Sequence, residues 1–230
     1  SYALAVIILF FLLQTTKENA LQLQMEHMKY ELLEKDVSVM RSQIQPHFLF
    51  NALNTISYLC GEDAEKAQTA VQNFSEYLRT NLDSLSNQNP VSFMRELDHV
   101  KNYMGIELLR FPKIRILYMP EFTAFELPPL TLQPLVENSV KHGLYGKENG
   151  GLIILKSTTD GKNAIITISD DGEGFDPKKP LDTSRTHIGL KNVEKRLYYM
   201  CKGSMTIDSA IGKGTKITLT LPLQSQKSDI

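Results

Sequence analysis

Tryptophan is missing from the 230 residues, cysteine occurs twice, and acidic and basic residues cancel to a net charge of −1. The scarcity of cysteine and the balance of charge each exclude something. Cys60 and Cys201 lie far apart with no CxxC spacing, which argues against a cysteine metal site and a disulfide framework and for a reducing compartment. The balance of 25 Lys and Arg against 26 Asp and Glu leaves no whole-molecule field that would draw nucleic acid or an acidic membrane surface. No internal repeat is visible. What is present is a hydrophobic content of 42%, enough for a real core, in a length that allows one large domain or two small ones.

Tyr2 to Leu13 is an unbroken apolar run. A full membrane span takes about 20 such residues. The run is read as the end of a truncated transmembrane helix at residues 1–14, with a buried soluble helix as the alternative. A signal peptide fits less well, since there is no basic start and no small-residue cleavage site. After Gln14 the chain turns polar. Leu21, Met25, Met28 and Leu32 are spaced four, three, four, and Leu33, Val37, Met40 and Ile44 repeat that spacing one residue out of phase. This short shifted heptad pattern predicts a coiled-coil signalling helix at 15–42, hence a homodimer; a lone amphipathic helix is the alternative.

The next stretch, Gln43 to Asn54, reads as a helix with apolar residues at three- and four-residue steps and Pro46 inside the pattern, where a proline bends the helix. His47 follows the proline, and Asn51 lies one turn on. An imidazole has a nucleophilic ring nitrogen near neutral pH. Taken alone, His47 is better read as a plain buried or half-exposed helix histidine. The helix runs to about Cys60. Asp63 is placed to cap a second helix from Ala64 to about Leu82, with Ala67, Val71, Phe74 and Leu78 on one side. Two such hairpins bury their apolar faces as a four-helix bundle. Ser84 to Pro90 reads as a linker and Ser92 to Arg110 as a third helix.

Beyond Pro112 the pattern mixes strand and helix. Strands are predicted at Ile114–Tyr118, Leu152–Lys156, Ala164–Ser169, Met205–Asp208 and Lys216–Leu221. One helix is predicted from Leu127-Pro128-Pro129 to about His142 and another from Gly189 to about Cys201. The order gives a sheet with helices on one face, an α+β sandwich. Three clusters stand out. Glu137-Asn138 to Lys141-His142-Gly143 puts an amide, an ammonium and an imidazole within one helical turn, types that suit a hard cation and phosphate. Asp170-Asp171-Gly172-Glu173-Gly174 ends a strand with a carboxylate beside glycines that permit close approach of a flat ligand. Gly189-Leu190 opens a helix whose free amides suit a phosphate, and Gly212-Lys213-Gly214-Thr215 leads into the last strand. The polar stretch from Phe175 to Ile188 is long for a loop and favours a lid over a ligand. Each cluster is also an ordinary surface helix, turn or loop when taken singly.

In this order the clusters resemble the sensor histidine kinases, most closely the LytS/YehU-like membrane group, over roughly Met40 to Pro222. Gln45-Pro46-His47-Phe48-Leu49-Phe50-Asn51 resembles that group's phosphoacceptor motif. Arg95-Glu96-Leu97 through Tyr103 to Arg110-Phe111 resembles its helix entering the ATPase domain, and Leu132-Gln133-Pro134-Leu135-Val136-Glu137-Asn138 to His142-Gly143 its asparagine box. Asp170 to Gly174 and Gly212 to Thr215 resemble its glycine boxes. The resemblance implies a Bergerat-type α/β sandwich that binds ATP. It implies that Asn138 holds Mg²⁺ through ATP, that Lys141 and His142 sit near the phosphates, and that Asp170 recognises adenine with Thr215 supporting its edge. Gly172, Gly174, Gly189, Leu190 and Gly214 would shape the pocket and its lid. Two departures stand beside it: Phe48 occupies the place where many relatives carry an acidic residue, and only one glycine stands at Gly189 where many carry two.

These readings give a dimerisation and phosphotransfer domain at 43–88, an ATP-binding domain at 89–224 and a tail at 225–230. The function implied is ATP-dependent autophosphorylation on His47, with Asn51 orienting the ring and Glu137 a candidate base. Phosphotransfer to an aspartate of a response regulator follows, in a membrane-anchored homodimer with cytoplasmic domains and no nucleic-acid partner. The alternatives are a catalytically inactive nucleotide-binding scaffold and a hydrolytic ATPase of the same fold.

Overall fold

The computed structural model describes residues 46–86, 89–144, 147, 149–176 and 185–223. The apolar run at 2–13, the heptad pattern, the linker residues 87–88, the 177–184 part of the expected lid and the 225–230 tail lie outside the described residues. The chain forms two compact units, Ser1–Leu49 and Phe50–Ile230. Among the described residues no helix is long and apolar enough to cross a membrane.

Helix α1 spans Pro46–Glu62. What precedes Pro46, and with it the bend expected there, lies outside the described residues. Helix α2 spans Ala64–Ser86. Asp63 caps it as the sequence predicts, its Oδ1 accepting from the Lys66 amide at 3.0 Å. The helix continues past Leu82 into the expected linker. Its buried stripe is Ala67, Ala70, Tyr77 and Asn81, while Val71 is 45% exposed. Of the expected apolar side, Ala67 is buried and Phe74 and Leu78 are half-buried, while Val71 is left on the surface of the single chain. The wide ring of Tyr77, not the smaller aliphatics, is what the neighbouring helix covers.

Strand β1 (Val91–Ser92) pairs with β3 (Glu126–Leu127) in a two-stranded sheet absent from the sequence reading. Such short strands carry no period of their own. Helix α3 spans Phe93–Arg110, capped by the Ser92 side chain, which accepts from the Arg95 amide. Strands β2 (Ile114–Pro120), β4 (Gly151–Thr159), β5 (Asn163–Asp170), β6 (Ser204–Ser209) and β7 (Thr215–Pro222) form one sheet in the order β2-β4-β5-β7-β6. The β2–β4 pair is parallel and the others antiparallel. All five predicted strands are present, each longer than its apolar centre.

Burial alternates along the strands. Ile153 and Leu155 of β4, Ala164, Ile166 and Ile168 of β5, and Ile217, Leu219 and Leu221 of β7 face one buried layer. Helices α3 and α4 (Leu132–Asn138), together with α5 (Arg185–Cys201), supply the other layer, with Leu97, Val100, Tyr103, Leu135, Val136, Val193 and Leu197 buried. The α+β sandwich expected from the sequence is what forms.

Two helix boundaries are corrected. No helix opens at Leu127. Leu127 belongs to β3, Pro128 and Pro129 donate no backbone hydrogen bond, and Leu130 has φ +54°, a left-handed conformation no helix accepts. The helix starts at Leu132 and after Asn138 widens into a π-helical turn, Ser139–Leu144. Helix α5 begins at Arg185, not Gly189, so the end of the expected lid is helical.

Candidate functional site

The alternation of β5 carries a carboxylate onto the core face. Ala164, Ile166, Ile168 and Asp170 are two residues apart and all buried. Asp170 ends the strand and is 9% exposed. Its Oδ2 accepts from the Ser139 hydroxyl at 2.8 Å, and its Oδ1 from the backbone amides of Gly172 at 3.0 Å and Thr215 at 3.2 Å. Burial pushes the Asp170 carboxyl above the usual range, while those three donors pull it back. A carboxylate has about four lone-pair positions. Three are taken, and one acceptor position is left for a ligand donor.

Glycine is required at two places around this carboxylate. Gly214 has φ +77°, and a Cβ there would collide with the Asp170 carbonyl oxygen. Gly174 has φ +62°, and a Cβ would collide with the Ala210 carbonyl oxygen. The turn holding Gly214 therefore closes on the end of β5, and the turn holding Gly174 closes on the turn between β6 and β7. Thr215 follows at the start of β7, its Oγ1 3.0 Å from the Ser209 hydroxyl.

Ser139 ties Asp170 to the first turn of the π-helical segment, directly after Asn138, so the asparagine at the end of α4 is held beside the end of β5. A π-turn inside a helix is a frequent mark of a functional site. Asn138 is half-buried. Lys141 sits in the π turn, its Nζ 2.6 Å from Glu137 Oε1. Glu137 is buried, so its carboxylate is spent on Lys141 in this state. His142 lies in the same turn by its backbone. Gly189 and Leu190 lie in α5, Leu190 buried and Gly189 with nothing within 4 Å of a Cβ among the described residues. His47 is exposed on α1, and Asn51 is half-buried one turn on in the same helix. Among the described residues no cluster of His, Cys, Asp or Glu could hold a metal by itself.

Three residues to which the sequence assigns no role shape the site. Ser139 is one. The others are Glu96 and Arg196. Glu96 of α3 is buried and accepts from the amides of Leu130 at 2.7 Å, Thr131 at 2.7 Å and Leu132 at 3.0 Å, the start of α4. Burial lifts its carboxyl, and the three amides and the Arg196 charge oppose that. Truncating it would strand three buried N–H groups, at a cost of about 1–3 kcal/mol each. Arg196 of α5 donates to the Pro129 and Leu130 carbonyls at 2.9 and 2.8 Å. The signal for Glu96 was available: it falls at helical spacing on the stripe of Phe93, Leu97, Val100 and Met104.

Comparison with known proteins shows the family. The histidine kinase family matches residues 35–115, and the family described as histidine kinase-, DNA gyrase B-, and HSP90-like ATPase matches residues 129–225. The chain is 36% identical over 208 residues to the putative uncharacterized protein YwpD of Bacillus subtilis, covering 87% of this chain and 75% of that one. It is 32% identical to the sensor protein LytS of Bacillus subtilis, over 85% of this chain and 35% of LytS. It is 33% identical to the sensor histidine kinase BtsS of Escherichia coli, over 88% of this chain and 36% of BtsS. The chain thus spans about a third of the length of these two sensors. With a histidine-kinase segment joined to a Bergerat-type ATPase domain, the chain belongs to the sensor histidine kinases of the LytS/YehU-like group.

Proposed function

We propose that this chain is the kinase portion of a two-component sensor, which phosphorylates itself on His47 from ATP and passes the phosphoryl group to an aspartate of a response regulator. The observation that carries the nucleotide half is the Asp170 carboxylate. It is buried on the core face, fixed by Ser139, Gly172 and Thr215, left with one acceptor position, and held among turns whose Gly174 and Gly214 admit no Cβ without striking backbone carbonyls. That suits the exocyclic amine of adenine. Gly172 shapes the near wall and Gly189 with Leu190 the far one. Asn138, half-buried at the end of α4, offers an amide oxygen to Mg²⁺, and Lys141 and His142 supply positive charge near the phosphates. When bound, Mg²⁺ neutralises phosphate charge and fixes the geometry of the transfer.

His47 is exposed on α1, as an acceptor for a bulky phosphate must be. Its ring nitrogen forms the N–P bond while the bond from the γ-phosphorus to the bridging oxygen breaks, ADP leaves, and the other ring nitrogen gives up its proton. Asn51 orients the ring. Phe48 cannot take the proton. Glu137 acts as base only in a state in which its carboxylate is released from Lys141. Positioning and charge neutralisation do most of the work. Phe50, Leu53 and Val71 leave apolar surface on the hairpin helices, which supports a homodimeric bundle. The apolar run at 2–13 supports membrane anchoring with the ATP-binding domain on the cytoplasmic side.

Incubation with γ-labelled ATP tests the reading. Acid-labile, base-stable label on the protein is expected. No label would leave a nucleotide-binding scaffold, and free phosphate alone a hydrolytic ATPase.

A further inference from the structure

Helix α4 does not cap itself. Thr131 stands at its N-cap position, yet makes no side-chain bond to the helix, and its hydroxyl donates instead to the Pro128 carbonyl at 2.6 Å. The cap comes from Glu96, 34 to 36 positions earlier in the chain, whose two oxygens take the amides of Leu130, Thr131 and Leu132. From another helix, the guanidinium of Arg196 takes the carbonyls of Pro129 and Leu130. Between the two grips lies Leu130, whose φ of +54° is unfavourable for a branched side chain and persists only where its surroundings impose it.

A local cap fixes where a helix begins relative to its own sequence. A cap supplied from elsewhere fixes where it lies relative to another element. Here the turn at 128–132 is fastened to α3 by a carboxylate and to α5 by a guanidinium. Asn138 is at the far end of α4, a helix of only 7 residues, so a shift of the turn is delivered nearly undiminished to Asn138. Gly189 and Leu190 lie two turns before Arg196 on α5. We infer that Glu96 and Arg196 are positioning residues for the nucleotide site: by gripping the turn at 128–132 from two helices, they set the separation between Asn138 and the helix bearing Gly189. Neither side chain is given a contact with nucleotide. The inference rests on the ATP-binding role proposed for Asp170 and Asn138, and deepens it.

The test is a double-mutant cycle with E96Q, R196Q and the double variant, reading the dissociation constant of a non-hydrolysable ATP analogue with Mg²⁺ and the kcat and KM of autophosphorylation. Gln keeps the length of Glu96 and one acceptor oxygen, so the fold has a conservative route to survive, and R196K, which keeps one donor of the fork, serves as the partial rescue. Ile166→Val, a core change in β5 away from the turn, is the control for lost stability. Each single variant is expected to weaken nucleotide binding and raise KM about five- to tenfold with kcat much less affected. R196K should fall between R196Q and wild type, and the double variant should lose less than the product of the singles, because both act on one turn. Nucleotide affinity and KM unchanged in a folded E96Q and R196Q would overturn the inference while leaving the ATP reading intact. So would losses that the Ile166→Val control reproduces, or that multiply independently in the double variant. A wild-type protein that fails to bind the analogue would overturn the ATP reading, and the positioning role with it.

Discussion

The rings of Tyr77 and His99 lie stacked, centroids 5.3 Å apart and planes 8° from parallel. They join α2 to α3, and the Tyr77 hydroxyl also accepts from Gln133 Nε2 at 3.4 Å, which reaches α4. The two aromatic side chains are almost wholly buried. Burial holds the imidazole neutral and draws its pKa from the ordinary 6.5 down to about 4, with Arg95 adding to the fall and Gln133 opposing it.

A pH dependence follows. Above pH 6.5 the imidazole is neutral in both states. Between pH 6.5 and about 4 the unfolded chain takes up a proton that the folded chain refuses, so stability falls as pH falls through that window. The full loss from this group is about 3 kcal/mol. His99→Phe keeps a ring against Tyr77 and removes the titration. Urea midpoints at pH 7 and pH 5 should separate much more for wild type than for the variant. Equal separations would show that His99 does not carry the dependence.

Two glycines with the same backbone conformation give a matched comparison. Gly212 and Gly214 both have φ +77°, but a Cβ on Gly212 meets nothing within 4 Å, whereas one on Gly214 strikes the Asp170 carbonyl. Gly212→Ala should cost only the backbone term, about 1–2 kcal/mol. Gly214→Ala should cost at least about 1 kcal/mol more and also weaken nucleotide binding, since the end of β5 must move. Melting temperatures and analogue affinity check both. Indistinguishable variants would mean that the close approach is relieved without moving Asp170.

How much of this was legible depended on whether the signal was local. Period-two alternation at Ala164, Ile166 and Ile168 extends to Asp170 and gives its face directly. The glycines announced the turns, and Asp63 announced the start of α2. The turn before α4 was misread because its conformation is imposed from outside: Pro128 and Pro129 imitate a helix start, and only Glu96 and Arg196 explain why Leu130 is left-handed. Tyr77 on α2 is not on the apolar side that the spacing picks out, for a similar reason. Its ring is covered from α3, where His99 stacks on it. Ser139 reads as one more small residue until β5 is alongside.

Asn138 provides a direct test of the metal assignment. Its side chain is half-buried, so Asn138→Asp adds a carboxylate without emptying the core. The expected result is at least tenfold weaker binding of ATP with Mg²⁺ and little change in melting temperature, because the added charge alters the metal geometry and repels the phosphates. Calorimetric titration with and without Mg²⁺ beside thermal melts would decide. Affinity and autophosphorylation equal to wild type would sink the assignment.

His47 is the remaining assignment. His47→Gln should abolish acid-labile, base-stable labelling while leaving analogue affinity and dimerisation as they are. Gln is similar in bulk and a good helix former, so α1 should persist from Pro46 onward. It lacks the nucleophilic ring nitrogen, so no N–P bond can form. Asp170 and Asn138 are in other elements and should bind nucleotide as before. Asn51→Ala should give a partial loss instead, several-fold in rate, because it removes an orienting amide and not the nucleophile. His99 is no substitute acceptor, since it is 1% exposed and stacked on Tyr77. Persistent acid-labile, base-stable label on the His47→Gln protein would place the acceptor on another histidine, with His27, His142 and His187 to be replaced in turn.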